Sequence, residues 1–237
     1  MINSIESILF LDIETVPQYP TWVHVPERWK ELWSLKAATL STNSDDTPEG
    51  LYQRAGIYAE FGKIICISCG FLSRSDGQER FRMKSFYGHD EKELLVQFAA
   101  LLNKITGKSI HTLCAHNGKE FDFPWIARRM VINGIRLPDL LDVAGKKPWE
   151  VQLLDTMELW KFGDRKSYTT LNLLAATLDV PTPKDDIDGS QVARVYYEEQ
   201  NLERIVTYCQ KDVLTVAQVM RRLRREPLIP EDAVVVS

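Results

Sequence analysis

Ile8-Leu-Phe-Leu-Asp-Ile-Glu-Thr15 is an apolar run that closes on two acids. An uninterrupted apolar stretch of this length, bounded by charge, reads as a buried strand with its acidic end at the sheet margin. Alternation along a strand puts Asp12 and Glu14 on the same face, with Cα atoms roughly 6.5–7 Å apart. Two carboxylates that close repel each other and are hard to bury. A divalent cation between them removes that cost and keeps both ionised. From this stretch alone, two acids on a solvated strand end explain the pattern equally well.

Outward from that strand, the pattern is α/β. Lys63–Leu72 and Arg80–Tyr87 read as two further strands, separated by a Ser73–Gln78 turn that contains Asp76-Gly77. Asp90 is a helix N-cap, followed by an apolar stripe of Leu94, Leu95, Phe98, Leu101 and Leu102 up to about Ile105. Ile110–Ala115 is another strand, and a helix from about Phe123 stops at Asn133-Gly134. Leu153–Trp160 fits strand and helix alike. Helices then follow around Thr170–Leu178, Gln191–Glu199 and Leu202–Glu226. Pro227 ends the last of them, and the tail to Ser237 reads as poorly ordered. Residues 37–56 are small and polar and read as a mobile loop. Antiparallel strands first, then strand alternating with helix, give a mixed sheet flanked by helices in a single domain.

Two other segments carry acids in suggestive settings. In His116-Asn-Gly-Lys-Glu-Phe-Asp-Phe-Pro-Trp125, Asp122 opens a helix whose first turn accepts Pro124. Taken alone, Asp122 is an N-cap and Asn117-Gly118 a turn. In Tyr208-Cys-Gln-Lys-Asp212, positions i and i+4 put Tyr208 and Asp212 on one helix face. They sit beside the buried stripe of Leu202, Ile205, Cys209, Val213, Val216, Met220 and Leu223. An acid beside a packed stripe is expensive unless something pairs with it. A salt-bridged surface Asp would satisfy that too.

In order, the segments read Asp-x-Glu, Asp, Tyr-x-x-x-Asp. They resemble the three exonuclease motifs of the DEDD superfamily, tyrosine subtype. The nearest likeness is to the proofreading exonuclease domain of family-B DNA polymerases, in Asn117-x-x-x-Phe121-Asp122-x-Pro124 above all. Ser167-Tyr-Thr-Thr-Leu-Asn-Leu-Leu and Pro183-Lys-Asp-Asp are also similar to that family. The histidine subtype would place His where Thr207 stands. From about residue 7 to 225 the chain resembles stand-alone bacterial exonucleases related to those polymerase domains. Trp125 departs from the pattern, which often has tyrosine there.

The resemblance implies an RNase H-like mixed β-sheet flanked by α-helices, as one domain over residues 1–237. It implies a 3′→5′ exonuclease acting on the 3′ end of single-stranded DNA, with RNA as the alternative substrate. Asp12, Glu14, Asp122 and Asp212 would hold two divalent cations, Mg²⁺ or Mn²⁺, because all-oxygen ligands select hard ions over zinc. Asp12 would bridge the ions, and Tyr208 would orient the attacking water. Thr15 would meet the terminal sugar, and Asn117 and Phe121 would shape the pocket for the last nucleotides.

Bulk properties exclude several classes. A length of 237 residues with 44% hydrophobic and 26% charged content describes a globular chain rather than a disordered one. No apolar run reaches the roughly 18–20 residues that span a bilayer. The chain opens on a strand bracketed by Glu6 and Asp12 rather than on a cleavable apolar segment. Cys66, Cys69, Cys114 and Cys209 lie in apolar stretches, and together these features give the expectation of a reduced, cytoplasmic protein. Cys66-x-x-Cys69 lacks a matching second ligand pair for zinc. A net charge of −4 disfavours a general DNA-coating protein but suits an enzyme gripping a few terminal nucleotides. The basic groups at Arg128-Arg129, Lys146-Lys147, Lys161–Lys166 and Arg221–Arg225 read as solvated faces. Trp22, Trp29 and Trp33 read as a small hydrophobic satellite cluster in preference to a stacking lid.

Two rivals remain. A haloacid-dehalogenase-type phosphatase would use Asp12-Ile-Glu-Thr15 with Asp12 as nucleophile, and needs a paired-acid motif for which Asp185-Asp186 is the candidate. A non-catalytic nucleic-acid-binding module would be marked by loss of a carboxylate, whereas all of Asp12, Glu14, Asp122 and Asp212 are present.

Overall fold

The computed structural model describes residues 4–75, 77–106, 110–164, 168–182 and 187–236. The strands are β1 (Ile8–Pro17), β2 (Gly62–Ser75), β3 (Gln78–Tyr87), β4 (Thr112–Ala115), β5 (Leu153–Asp155) and β6 (Val234–Val236). The helices are α1 (Glu27–Leu40), α2 (Glu91–Ile105), α3 (Asp122–Ile132), α4 (Thr156–Lys161), α5 (Leu171–Thr177), α6 (Val192–Tyr197) and α7 (Leu202–Leu223). Among the described residues, none of these helices is long and apolar enough to cross a membrane.

All strands join one six-stranded mixed sheet in the order β5-β4-β1-β2-β3-β6. β1–β2 and β2–β3 are antiparallel, whereas β1–β4, β4–β5 and β3–β6 are parallel. Strand alternation then sorts β1. Leu9, Leu11 and Ile13 face α2 and α3, packing with Leu95, Phe98 and Ile126. Ile8 and Phe10 face α7, packing with Val213, Val216 and Met220. Asp12 and Glu14 continue that second row, so β1 aims both acids at α7.

The expected architecture is the one formed, with instructive differences. Leu153–Trp160 resolves into both readings: β5 runs to Asp155, whose carboxylate caps α4 by accepting from the N–H groups of Met157 and Glu158. Residues 37–56 are a loop only in their middle: 41–51 form mostly exposed turns, and both ends are regular. Helix α1 runs to Leu40, and a 3-10 turn at Tyr52–Ile57 buries Tyr52, Ala55 and Gly56. The tail is ordered as well. Gln218 exchanges two hydrogen bonds of 2.8 Å with the backbone of Ile229, and β6 then pairs with the otherwise bare edge Phe81–Met83. β-branched Val234–Val236 suit an edge strand.

Two residues from the basic groups are buried ion pairs rather than solvated faces. Arg129, 6% exposed, donates to Glu91 at 2.5 and 2.8 Å and ties α3 to α2. Arg221 of α7 pairs with Glu79 of β3. All four cysteines are free and buried. Cys66 and Cys69 join different clusters on opposite sheet faces, as alternation requires. The Asp76 half of the β2–β3 turn lies outside the described residues, while Gly77 takes φ 75° there. Ser167 and the 183–186 string also lie outside them.

Candidate active site

β1, the start of α3 and the middle of α7 bring the acids of the three segments together. The β1–β2 register slips directly after Glu14: Glu14 faces Cys66, but Thr15 faces Ile64. The extra residue, Ile65, is a bulge, a device that turns a strand locally and re-aims its side chains. From α7, Tyr208 and Asp212 project to the same place, and their side chains share a hydrogen bond. Asp12, Glu14, Thr15, Phe121, Tyr208 and Asp212 line one open cleft of about 490 Å³. Asp122 lies behind it, 3% exposed, and its carboxylate accepts hydrogen bonds from the N–H groups of Ile13 and of its own residue.

The electrostatics are adverse by design. Burial lifts the Asp12 carboxyl well above its usual range, and Glu14, Asp212 and Asp122 lift it further. Burial and the charge of Asp212 do the same to Glu14. Asp122 is pushed to about 7, chiefly by burial. Oδ2 of Asp12 and Oδ1 of Asp122 are buried with no hydrogen-bond partner among the described residues. Unpaired carboxylate oxygens are costly to bury. Hard divalent cations would satisfy these oxygens and restore full ionisation. The donor set therefore fits such ions.

Ligand atoms of Asp12, Glu14 and Cys209 lie within 4.8 Å of one another, so a sulfur borders the acids. Burial pushes the Cys209 thiol well up, and its Sγ–H is already given to the Asp12 backbone carbonyl at 3.4 Å. Hard cations prefer the carboxylate oxygens of the cluster to this sulfur.

Other residues singled out in the sequence take varied places. Thr15 lines the cleft, but its hydroxyl donates to the Gly56 carbonyl at 2.7 Å. Phe121 lines it with its ring 6.0 Å from that of Trp125. Asn117 does not line the cleft. It holds a turn at φ 59°, with its N–H given to Asp155 Oδ1 at 2.9 Å. Trp125 is buried, and its indole N–H bonds to the Ile57 carbonyl at 2.9 Å. Trp33 is fully buried in an aromatic cluster with Tyr52 and Phe61, which is the satellite packing expected of it.

Asp155 was not singled out, yet it organises the second segment. Besides capping α4, it accepts from the N–H groups of Asn117 and Lys119, fixing the turn that leads into Asp122. His116 is pinned between Thr156 Oγ1 and the Thr169 carbonyl, and burial lowers its pKa. The signal for Asp155 was present: Leu153-Leu-Asp155 is a second short apolar run that closes on an acid, as Ile8–Asp12 does.

Fold and site together define a mixed α/β domain whose central strand presents a carboxylate cluster fit for divalent metal. The chain belongs to a family described as predicted 3′–5′ exonucleases related to the exonuclease domain of PolB, whose model matches residues 57–225. It is 26% identical over 149 residues to a DNA polymerase of Pyrococcus glycovorans, covering 57% of this chain and 18% of that polymerase. It is 24% identical over 135 residues to a DNA polymerase of Desulfurococcus sp. (strain Tok), covering 52% of this chain and 17% of that one. The chain thus spans less than a fifth of the length of these relatives. The fold is RNase H-like, and exonuclease domains of this kind use divalent metal ions.

Proposed function

We propose that this chain, as one domain over residues 1–237, is a tyrosine-type 3′→5′ exonuclease that removes nucleotides from single-stranded DNA ends. The observation that carries the reading is the pair of buried, unpartnered oxygens of Asp12 and Asp122 inside a repelling carboxylate group beside an open cleft. Asp12, Glu14, Asp122 and Asp212 would hold two cations, Mg²⁺ or Mn²⁺. When bound, such ions stabilise charge on the phosphorus oxygens and on the departing 3′ oxygen, and acidify an attacking water.

The chain's own groups do the rest. Tyr208 has its phenol pushed well up by burial and by Asp212, Glu14 and Asp12, so it stays protonated. A neutral phenol beside these acids orients a water by hydrogen bond and does not act as its base. Phe121, on the cleft wall, offers a ring face on which a terminal base can stack. Thr15 holds the wall in place through Gly56, and its hydroxyl oxygen keeps acceptor capacity for a terminal sugar. The likeness to the DNA polymerases above favours DNA over RNA.

A phosphatase using Asp12 as nucleophile fits less well. That reading leaves Tyr208 and Asp212, which share the cleft with Asp12, without a role. Digestion of oligonucleotides labelled at the 3′ or the 5′ end, DNA beside RNA, with Mg²⁺ or with EDTA, tests the proposal. Stepwise loss from the 3′ end of DNA that EDTA abolishes is expected. Loss from the 5′ end, or release of phosphate alone, would overturn it.

A further inference from the structure

Most of the segment between β1 and β2 lies before residue 57, where the family match begins, yet it reaches into the cleft. Its 3-10 turn contributes Gln53 and Arg54 to the cleft wall opposite Ser190 and Tyr208. This turn is fastened to the catalytic strand. Thr15 bonds to the Gly56 carbonyl, and Trp125 to that of Ile57. Gly56 packs so closely on β1 that an added Cβ would lie 3.1 Å from the Pro17 nitrogen. On the far side, Tyr52 and Ala55 are buried in the aromatic cluster around Trp33. An aromatic core of its own and bonds to β1 and α3 therefore hold Arg54 in place.

Among the described residues that line this cleft, Arg54 is the one cationic side chain, against Asp12, Glu14 and Asp212. It is exposed, whereas Asp12 and Asp212 are half-buried and Glu14 is buried, and among the described residues it makes no ion pair or side-chain hydrogen bond. A guanidinium held at the mouth of an acidic cleft matches a phosphodiester in charge and in its forked donor geometry. As the exposed cation of a cleft whose acids are buried or half-buried, Arg54 is open to a backbone phosphate other than the one the acids address.

We infer that Arg54, presented by the segment before residue 57, is a clamp for a non-scissile backbone phosphate of the bound strand. The inference rests on the exonuclease reading and adds to it a source of preference for polymers over single linkages. Gln53 beside it supplies an amide for the same phosphate or its sugar.

The test compares wild type, Arg54→Gln and Arg54→Lys on a thymidine oligonucleotide of about ten nucleotides, a length one single-strand groove can track, and on the dinucleoside monophosphate dTpdT, which has only the scissile phosphate. Arg54→Gln is expected to lower kcat/KM on the oligonucleotide roughly tenfold, the worth of one charge-assisted bond, and to leave dTpdT unchanged. Arg54→Lys keeps the charge and should retain most of the preference. Equal loss on both substrates, or loss on neither, overturns the clamp while the exonuclease reading stands. Fluorescence anisotropy of the labelled oligonucleotide in EDTA, over a salt series, reads the contact without turnover. Arg54→Gln should reduce the slope of log affinity on log salt by about 0.7, one single-strand phosphate contact. An unchanged slope overturns the clamp even if no substrate is cut. A reduced slope with no cutting by wild type upholds the clamp and removes the nuclease reading.

Discussion

Asp122→Asn separates charge repulsion from structure. The Asp122 carboxyl is buried and pushed to about 7 in the folded protein, against roughly 3.9 in an unfolded chain. A raised folded-state pKa means that the folded protein holds the proton more tightly. Without metal, the stability contributed by this group is therefore fullest below pH 4, falls as pH rises towards 7, and is lost above that. At roughly 1.4 kcal/mol per pH unit, holding the ionised carboxylate folded at pH 8 costs on the order of 4 kcal/mol. Asparagine keeps an oxygen to accept from the Ile13 N–H and carries no charge. Chelator-treated Asp122→Asn should thus be more stable than wild type at pH 8, by about 2–4 kcal/mol once local relaxation is allowed for, and the gap should close towards pH 4. Urea denaturation in EDTA at pH 4.5 and pH 8 measures this. Adding Mg²⁺ should stabilise wild type more than the variant. A variant less stable than wild type at pH 8 in EDTA, or a gap that ignores pH, would refute the reasoning.

Tyr208→Phe should lower kcat by about a hundredfold, in the range seen when one aligned transition-state donor is lost, while the metal-induced rise in Tm is kept; an unchanged kcat would reduce Tyr208 to packing. Asp155→Ala frees the N–H groups of Asn117, Lys119, Met157 and Glu158. It should cost about 2 kcal/mol or more in urea and depress activity without touching the cleft, and full stability would show those bonds to be inconsequential. Trp33→Ala should destabilise by roughly 3–5 kcal/mol with KM for single strands unchanged in the surviving folded protein. A large KM effect at full stability would revive the stacking-lid reading.

Much of the site was legible because it depends on local periodicity. The alternation in Ile8–Glu14 and the i, i+4 pair on α7 each put two functional groups on one face, and the structure aims those faces at each other. The α7 stripe was equally readable, and Ile205, Cys209, Val213, Val216 and Met220 are all buried. Features set by distant partners were not. The order of the segment before residue 57 comes from Trp33, Tyr52 and Phe61 meeting edge to face, and from bonds to Thr15 and Trp125, none of which leaves a periodic trace. β6 is ordered by Gln218 and by a vacant sheet edge 150 residues away in sequence, roughly, across the whole fold. Arg129 looked like half of a surface charge pair because Glu91, its buried partner, lies on another helix. Asp155 hid in a stretch too short to decide between strand and helix, and the answer was one followed by the other.

The claim beneath all of this is that acids on β1, α3 and α7 share hard cations. Anomalous diffraction from crystals soaked in Mn²⁺ addresses it directly. Peaks enclosed by the carboxylates of Asp12, Glu14, Asp122 and Asp212, absent in Asp12→Asn crystals treated alike, are the expected result. Manganese bound only elsewhere, or density at Cys209 Sγ in place of the carboxylate oxygens, would contradict the account.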